Sequence, residues 1–319
     1  MPEETLAVGV DIGGTAIKLG LVRPSGAIVT QAEIATPVAL PQEEAVGVIA
    51  RAIEGLARGG GVRAVGIGCA GLVDSARGIV HVSPNLPQWH DALLGEWTTR
   101  VLSLPVSVLN DANAFALAEA HSGAGRGHSP VVGITLGTGV GGAIVEDGRL
   151  RGGRFGFGGE IGHMSLEMDG PPCPCGNRGC LELYVGRRAL VAAYLSRAGW
   201  GPGRITFDLA RGEREELDPK LLYDAANRGD TAAREVFARA GIVVGVALAN
   251  LTNLIDPEVF VIGGGVAQAG DLLLEPARRT LAERAMLGAS RVPAVLPAAL
   301  GTGAGLIGAA LHALRGLAG

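Results

Sequence analysis

The stretch LAVGVDIGGTAIKLGLV, residues 6–22, decides how the fold is read. Its first seven residues are apolar except for Asp11 and Gly9 and read as a buried strand. Gly13-Gly14-Thr15 reads as a turn, and residues 16–22 as a strand returning beside the first. A turn without β-carbons lets backbone N–H groups approach phosphate oxygens, and the Thr15 hydroxyl adds a donor. Residues 130–145 repeat the design, with a strand to Leu136, the turn Gly137-Thr138-Gly139 and a strand from Gly142. Either hairpin alone is better explained as an ordinary glycine turn. The pair, with Asp11 and Lys18 beside the first, favours polyphosphate binding and suggests an internal duplication.

Working outward, residues 42–59 carry Ala45, Ile49, Ile53 and Leu56 at helical spacing. Residues 64–67 and 106–109 read as short buried strands, the second running into Asn110-Asp111 and an Ala-rich helix over 112–121. After the second hairpin come a Gly/Cys-rich insertion (151–180), a helix from Glu182, helical stretches over 221–240 and 242–254, a strand at 259–262 and the loop Gly263-Gly264-Gly265. Such alternation predicts an α/β protein with mostly parallel sheets covered by helices. Residues 292–311 are uncharged and long enough to span a bilayer, but Pro293, Pro297 and four glycines make strand, turn and helix the better reading.

Composition narrows the classes further. At 319 residues, 48% apolar and 18% charged, the chain has the balance of a soluble globular protein of about two domains. A net charge of −4 gives no general attraction to nucleic acid or anionic lipid. The chain opens Met-Pro-Glu-Glu with no leader-like apolar run, so a cytoplasmic location with reduced thiols is expected. Three G-x-G-x-x-G matches occur (Gly66/68/71, Gly137/139/142, Gly303/305/308), but 52 glycines would produce about 1.4 by chance, and none sits in a complete dinucleotide-binding unit. A P-loop is excluded because the two lysines, Lys18 and Lys220, follow Ile17 and Pro219 rather than Gly.

Two constellations carry chemistry. His163, Cys173, Cys175 and Cys180 offer three thiolates and an imidazole within 18 residues, the ligand set of a closed structural Zn2+ site, with Gly176 and Gly179 allowing the chain to reverse between ligands. Cys69 lies far off on an apolar strand and reads as a core thiol. Asp11 is placed to hold Mg2+ through water. Asp111, between a strand end and a helix start, reads equally as the helix N-cap or as a carboxylate that takes a proton in phosphoryl transfer.

The motifs together resemble a known family. Asp11-Ile-Gly-Gly-Thr-Ala-Ile-Lys18 resembles the first phosphate loop of the actin–hexokinase superfamily. Asn110-Asp-Ala-Asn-Ala-Phe-Ala-Leu-Ala-Glu119, Leu136-Gly-Thr-Gly-Val-Gly141, and Glu160-Ile-Gly-His163 followed by Cys173-Pro-Cys-Gly-Asn-Arg-Gly-Cys-Leu-Glu182 resemble the ROK family of bacterial sugar kinases and sugar-responsive repressors. The resemblance runs from about Leu6 to Leu311, is greatest to the family's glucokinases, and implies a two-domain, duplicated actin/hexokinase-like (ribonuclease H-like) α/β fold with a cleft between the domains. The domains expected are 1–117 plus 303–319, and 118–302 with the zinc-binding insertion at 163–180.

The same resemblance implies ATP-dependent phosphorylation of glucose at the 6-hydroxyl, with Asp111 as general base. It makes Gly71, Asn85, Asn110, Asp111, Glu160, His163 and Glu182 the sugar-side residues. Asp11, Gly13, Gly14, Thr15, Lys18, Thr138, Gly139, Gly264 and Gly265 are implied to hold Mg·ATP, with closure excluding water. His163 can serve both Zn2+ and sugar, one nitrogen for each. Trp89 and Trp97 read as packing residues. Other hexoses (N-acetylmannosamine, N-acetylglucosamine, allose, fructose) and other donors (ADP, polyphosphate) remain open, and a homodimer or homotetramer is implied. A sugar-sensing repressor would need a DNA-binding region ahead of the first strand, which begins near Thr5.

Overall fold

A computed structural model describes residues 5–154, 156–286 and 288–317; the opening Met1–Glu4 and Phe155 of the insertion lie outside them. In chain order the first elements are β1 (Leu6–Ile12), β2 (Ala16–Val22), β3 (Ile28–Ala35), α1 (Gln42–Ala57), β4 (Val62–Cys69), β5 (Leu72–Asp74), β6 (Ile79–Ser83), β7 (Leu86–Ala92), α2 (Leu94–Leu102), β8 (Val106–Asn110) and α3 (Asp111–Ser122). There follow β9 (Val131–Leu136), β10 (Val140–Glu146), β11 (Arg149–Leu150), α4 (Glu182–Val185), α5 (Arg187–Ala198), α6 (Ile205–Leu209), α7 (Pro219–Asn227), α8 (Thr231–Ile255), β12 (Val259–Gly263), α9 (Asp271–Arg284), β13 (Ala294–Pro297) and α10 (Ala304–Gly316).

The duplication is explicit in the strand order. One sheet runs β3-β2-β1-β4-β8 and the other β11-β10-β9-β12-β13, so each reads third, second, first, fourth, fifth along its half of the chain. The small meander β5-β6-β7 is the first half's addition. The expectation of mostly parallel sheets is corrected: β2 and β3 are antiparallel, whereas β4 and β8 join β1 in parallel. A tight Gly turn can only return the chain antiparallel, so each hairpin contributes an antiparallel flank.

The chain divides into two compact units. The first comprises residues 1–133, 143–159 and 298–319, and the second 134–142 and 160–297. In the first, Val8, Val10, Ile17, Leu19, Ile49, Ile53, Val65 and Ile67 form a buried core, with Trp89 inside it and Trp97 packed against it. Helix α10 lies on β1, β4 and α3 through glycine contacts. A β-carbon on Gly66 would fall 1.8 Å from the Ala309 carbonyl oxygen, and one on Gly308 1.7 Å from that of Ala114. The first and third G-x-G-x-x-G matches are thus places where backbone meets backbone, consistent with rejecting them as dinucleotide signatures.

In the second unit the helical stretches expected over 221–240 and 242–254 are corrected: the first breaks at Arg228-Gly229-Asp230, and no break falls at Gly241. Asp230 caps α8 by accepting from the Ala233 N–H at 3.0 Å, so a single 25-residue helix begins there and runs through Gly241. Among the described residues, α8 is the one helix long and apolar enough to cross a membrane, and half of that window is buried within the protein. Residues 292–311 form β13, a short 3-10 turn and the start of α10, as their prolines and glycines imply.

Candidate active site

In the first unit, sheet register gathers the candidate residues at one edge. Ile12 aligns with Cys69 and Cys69 with Asn110, so the carboxyl ends of β1, β4 and β8 form a row with Asp11 at one side and Asp111 just past the other. Open α/β sheets place ligands at this edge. Asp11 faces Lys18 across the β1–β2 pair, and Lys18 faces Glu33 across β2–β3. The turn between the strands is pinned by Thr36, whose hydroxyl donates to the Gly13 carbonyl at 2.7 Å and whose N–H donates to that of Thr15 at 3.0 Å. Thr36 carried no sequence signal, because its role depends on β3 returning beside the turn. Asn85 lies beside Gly14: a β-carbon there would sit 3.1 Å from its side-chain oxygen.

Asn110, not Asp111, is the N-cap of α3. Its Oδ1 accepts from the N–H groups of Ala112 (2.8 Å) and Asn113 (3.4 Å), while its Nδ2 donates to the Gly71 carbonyl at 3.0 Å. This resolves the reading in which Asp111 capped the helix. Gly71 has φ +117°, and a β-carbon would fall 2.1 Å from the Val82 carbonyl, so only glycine fits here. Asn110 can still donate its second amide hydrogen to a ligand.

Asp111 stands at the first position of α3, partly buried, with one carboxylate oxygen accepting from the Ala112 N–H at 2.9 Å. Burial pushes its carboxyl above the ordinary aspartate value, and that hydrogen bond pulls part of the way back. Asp11 is raised to about 6 by burial and by the negative charge of Asp111, with Lys18 opposing. Two carboxylates feeling one another at a sheet edge, with a cation beside one, suit an arrangement in which one binds a metal–phosphate and the other accepts a proton.

Cys69, read from the sequence as a core thiol, is one, and it lies behind this site. It is fully buried on β4, hydrogen-bonded toward Ser83 at 3.9 Å, and its thiol is pushed up to about 12, first by burial and further by Asp111 and Asp11. It remains a protonated core thiol that fills space behind the carboxylates.

The second unit holds the other residues. Glu182, at the start of α4, accepts from the Val140 N–H at 3.0 Å and packs on Gly139, where a β-carbon would lie 2.1 Å from Oε2. The turn is tight, with the Gly137 N–H donating to Gly139 and the Arg187 N–H donating to Gly137. Gly264, at φ +89°, sits against Leu136, so the loop after β12 abuts the strand that leads into Thr138. Thr138, Gly139, Gly264, Gly265 and Glu182 therefore belong to one locality. Glu160 is exposed and precedes a 3-10 turn, Ile161–His163, whose His163 N–H donates to the Glu160 carbonyl.

The four expected metal ligands converge. One donor atom from each of His163, Cys173, Cys175 and Cys180 lies within 4.8 Å of the others, with Cys175 and Cys180 sulfurs 3.7 Å apart and Cys173 Sγ 3.8 Å from His163 Nδ1. Thiolates at opposite corners of a Zn2+ tetrahedron stand about 3.8 Å apart, given Zn–S bonds of about 2.3 Å. The donor set and spacing therefore fit zinc. Gly176 (φ +93°) and Gly179 (φ +63°) supply the left-handed turns between ligands, and a bridge pairs Pro172 with Arg178. His163 Nδ1 faces the sulfurs, leaving Nε2 as the nitrogen for another partner. Glu182 follows Cys180 by two residues, so the cluster anchors the residue that grips the second hairpin.

These features agree with comparison to known proteins. The family model described as "ROK family" matches residues 7–315. The chain belongs to the ROK family. It is 41% identical to a glucokinase of Streptomyces coelicolor over 96% of each chain, and 38% identical to a glucokinase of Thermotoga maritima over 97% of each. Its fold matches the crystal structure of a ROK glucokinase from Streptomyces griseus, determined in complex with glucose and AMPPNP, with a TM-score of 0.84 at 41% identity over 97% of this chain and 99% of that one. The ROK assignment places this chain in the two-domain, duplicated actin/hexokinase-like class.

Proposed function

We propose that this protein is a glucokinase that transfers the γ-phosphoryl group of ATP to the 6-hydroxyl of glucose. The observation that carries the reading is Asp111: a partly buried carboxyl raised above its usual range, at the helix start where the sheet edge gathers Asp11 and Asn110. The likeness to a ROK glucokinase that binds glucose and AMPPNP supports the substrates.

In the mechanism, Asp111 accepts the hydroxyl proton as the sugar oxygen attacks the γ-phosphorus, and ADP departs with the bridging oxygen. Asn85, Asn110 and the Gly71 backbone from the first unit, and Glu160, His163 Nε2 and Glu182 from the second, bind the sugar hydroxyls. Carboxylates suit this because each accepts more than one hydroxyl donor. Gly13, Gly14, Thr15 and Lys18 hold phosphates, as do Thr138 and Gly139, with Gly264 and Gly265 beside the adenosine. Asp11 would hold Mg2+ through water; the ion supplies charge neutralisation on the transferred phosphoryl group. His163, Cys173, Cys175 and Cys180 would hold Zn2+, which supplies rigidity beneath Glu182. The reading is of a cytoplasmic homo-oligomeric enzyme.

The test is initial-rate measurement on purified protein with glucose, mannose, fructose, allose and the two N-acetylhexosamines, each with Mg·ATP, ADP or polyphosphate. The highest kcat/KM is expected for glucose with ATP. A preference for an N-acetylhexosamine, or no ATP-dependent turnover of any sugar, overturns the reading.

A further inference from the structure

Glu119 is a charged side chain with no exposed surface, inside the first unit and outside the machinery described above. Its carboxylate gathers backbone donors from two separate places. Oε2 accepts from the Ala124 N–H at 2.8 Å, just past the end of α3. Oε1 accepts from the N–H groups of Ala299 (3.0 Å) and Leu300 (2.9 Å), 180 residues along the chain, with Ala299 also 3.1 Å from Oε2. Ala298 is where the chain returns to this unit, so Glu119 holds the first residues of that return. Burying a carboxylate is expensive, and a site needing only bulk is better filled by an apolar side chain. Charge at this position answers to the loop's N–H groups.

The held loop leads straight to the reacting edge. Leu300 is followed by the turn Gly301–Gly303 and then α10. Gly305 of α10 backs the Asp11 carboxyl so closely that a β-carbon would lie 2.5 Å from Oδ2. Gly308, a turn later, rests on the Ala114 carbonyl in the first turn of α3, the helix that opens with Asp111. With contacts this close, α10 cannot slide without displacing one carboxylate relative to the other. We propose that Glu119 is a positioning residue for phosphoryl transfer: by fixing the loop before α10, it sets the placement of Asp11 relative to Asp111. This rests on the glucokinase reading.

The experiment uses the full-length protein and the variants Glu119→Gln, Glu119→Asp and Ala299→Pro. Gln retains the shape but turns an amide N–H2 toward backbone donors; Pro removes one donor at an exposed residue and leaves Glu119 intact. At a temperature where circular dichroism shows each variant folded, Glu119→Gln and Ala299→Pro are expected to lower kcat about 10- to 100-fold. Both should raise the Mg2+ concentration needed for half-maximal rate and weaken calorimetric binding of a non-hydrolysable Mg·ATP analogue. Glu119→Asp should fall between them and wild type. Lowered melting temperature with wild-type kcat, Mg2+ dependence and analogue binding would make Glu119 a fold residue only and overturn the proposal. If Glu119→Gln does not fold, Ala299→Pro decides by the same readouts. Absence of glucose turnover in the wild type would instead refute the underlying function, and analogue binding still reads the positioning.

Discussion

Asp111 and Asp11 sit at the same sheet edge, and neutralising either is expected to cost activity, for different reasons. Asp111→Asn keeps the volume and loses the proposed base, so kcat is expected to fall about 10²- to 10⁴-fold with little change in glucose affinity by calorimetry. Near-normal turnover would remove it from the role. Because burial raises its carboxyl and the base must be ionised, kcat/KM should fall on the acid side at a higher pH than an ordinary aspartate would give. Asp11 has a separate consequence for stability. Its carboxyl titrates at about 6 in the fold against 3.8 ordinarily, so the folded state disfavours its charged form. That penalty is absent below the ordinary value and complete above the folded one. Asp11→Asn should therefore raise the melting temperature at pH 7.5, with the gain vanishing as pH drops toward 4, while activity is lost. An equal or lower melting temperature at pH 7.5 would show that the carboxylate is better compensated than its burial implies.

At the scale of elements, the Cys/His knuckle and the second hairpin act as one piece. Val140 donates to Glu182, and Glu182 follows Cys180 within two residues, so order at the knuckle is order at the turn. Metal analysis of purified protein is expected to find about one Zn2+ per chain. Removing it with a strong chelator, or substituting Cys175→Ser, should lower the melting temperature and weaken glucose and Mg·ATP together, because Glu182 is proposed to serve the sugar and also props the turn. Full activity in verified zinc-free protein would uncouple the two. This element was largely legible from sequence: three thiols, a histidine and the turn glycines Gly176 and Gly179 lie within 18 residues, so local spacing constrains the geometry. The hairpins were legible for the same reason. The break at residues 228–230 was missed, because α7 and α8 are both helical and only a short turn through Gly229 (φ +100°) and the Asp230 cap separates them.

At the scale of the whole molecule, the two units are built on the same strand order, and the proposed sugar and nucleotide ligands draw on residues of each. Ligands that engage both should stabilise the fold by mass action. Glucose at a hundred times its Kd is expected to add about 2.7 kcal/mol, read as a concentration-dependent rise in melting temperature, and an Mg·ATP analogue should add to it. No shift with glucose, alongside a shift with an N-acetylhexosamine, would reassign the sugar.

What the sequence by itself determined was whatever a few neighbouring residues can encode: the two Gly-Thr turns, the Cys/His cluster, the family motifs and the strand and helix periods. Long-range packing decided the rest. It made Asn110 the cap and freed Asp111, because a carbonyl of Gly71, 39 residues away, claims the Asn110 amide. It brought Cys69 beside the carboxylates through the register of three strands. It turned glycines that look like nucleotide motifs into contacts of α10 with the sheet and with α3. And it gave Glu119 its partners 180 residues on. Hydrogen bonds and close backbone contacts between distant segments leave no periodic trace in either segment, so only the folded chain could reveal them.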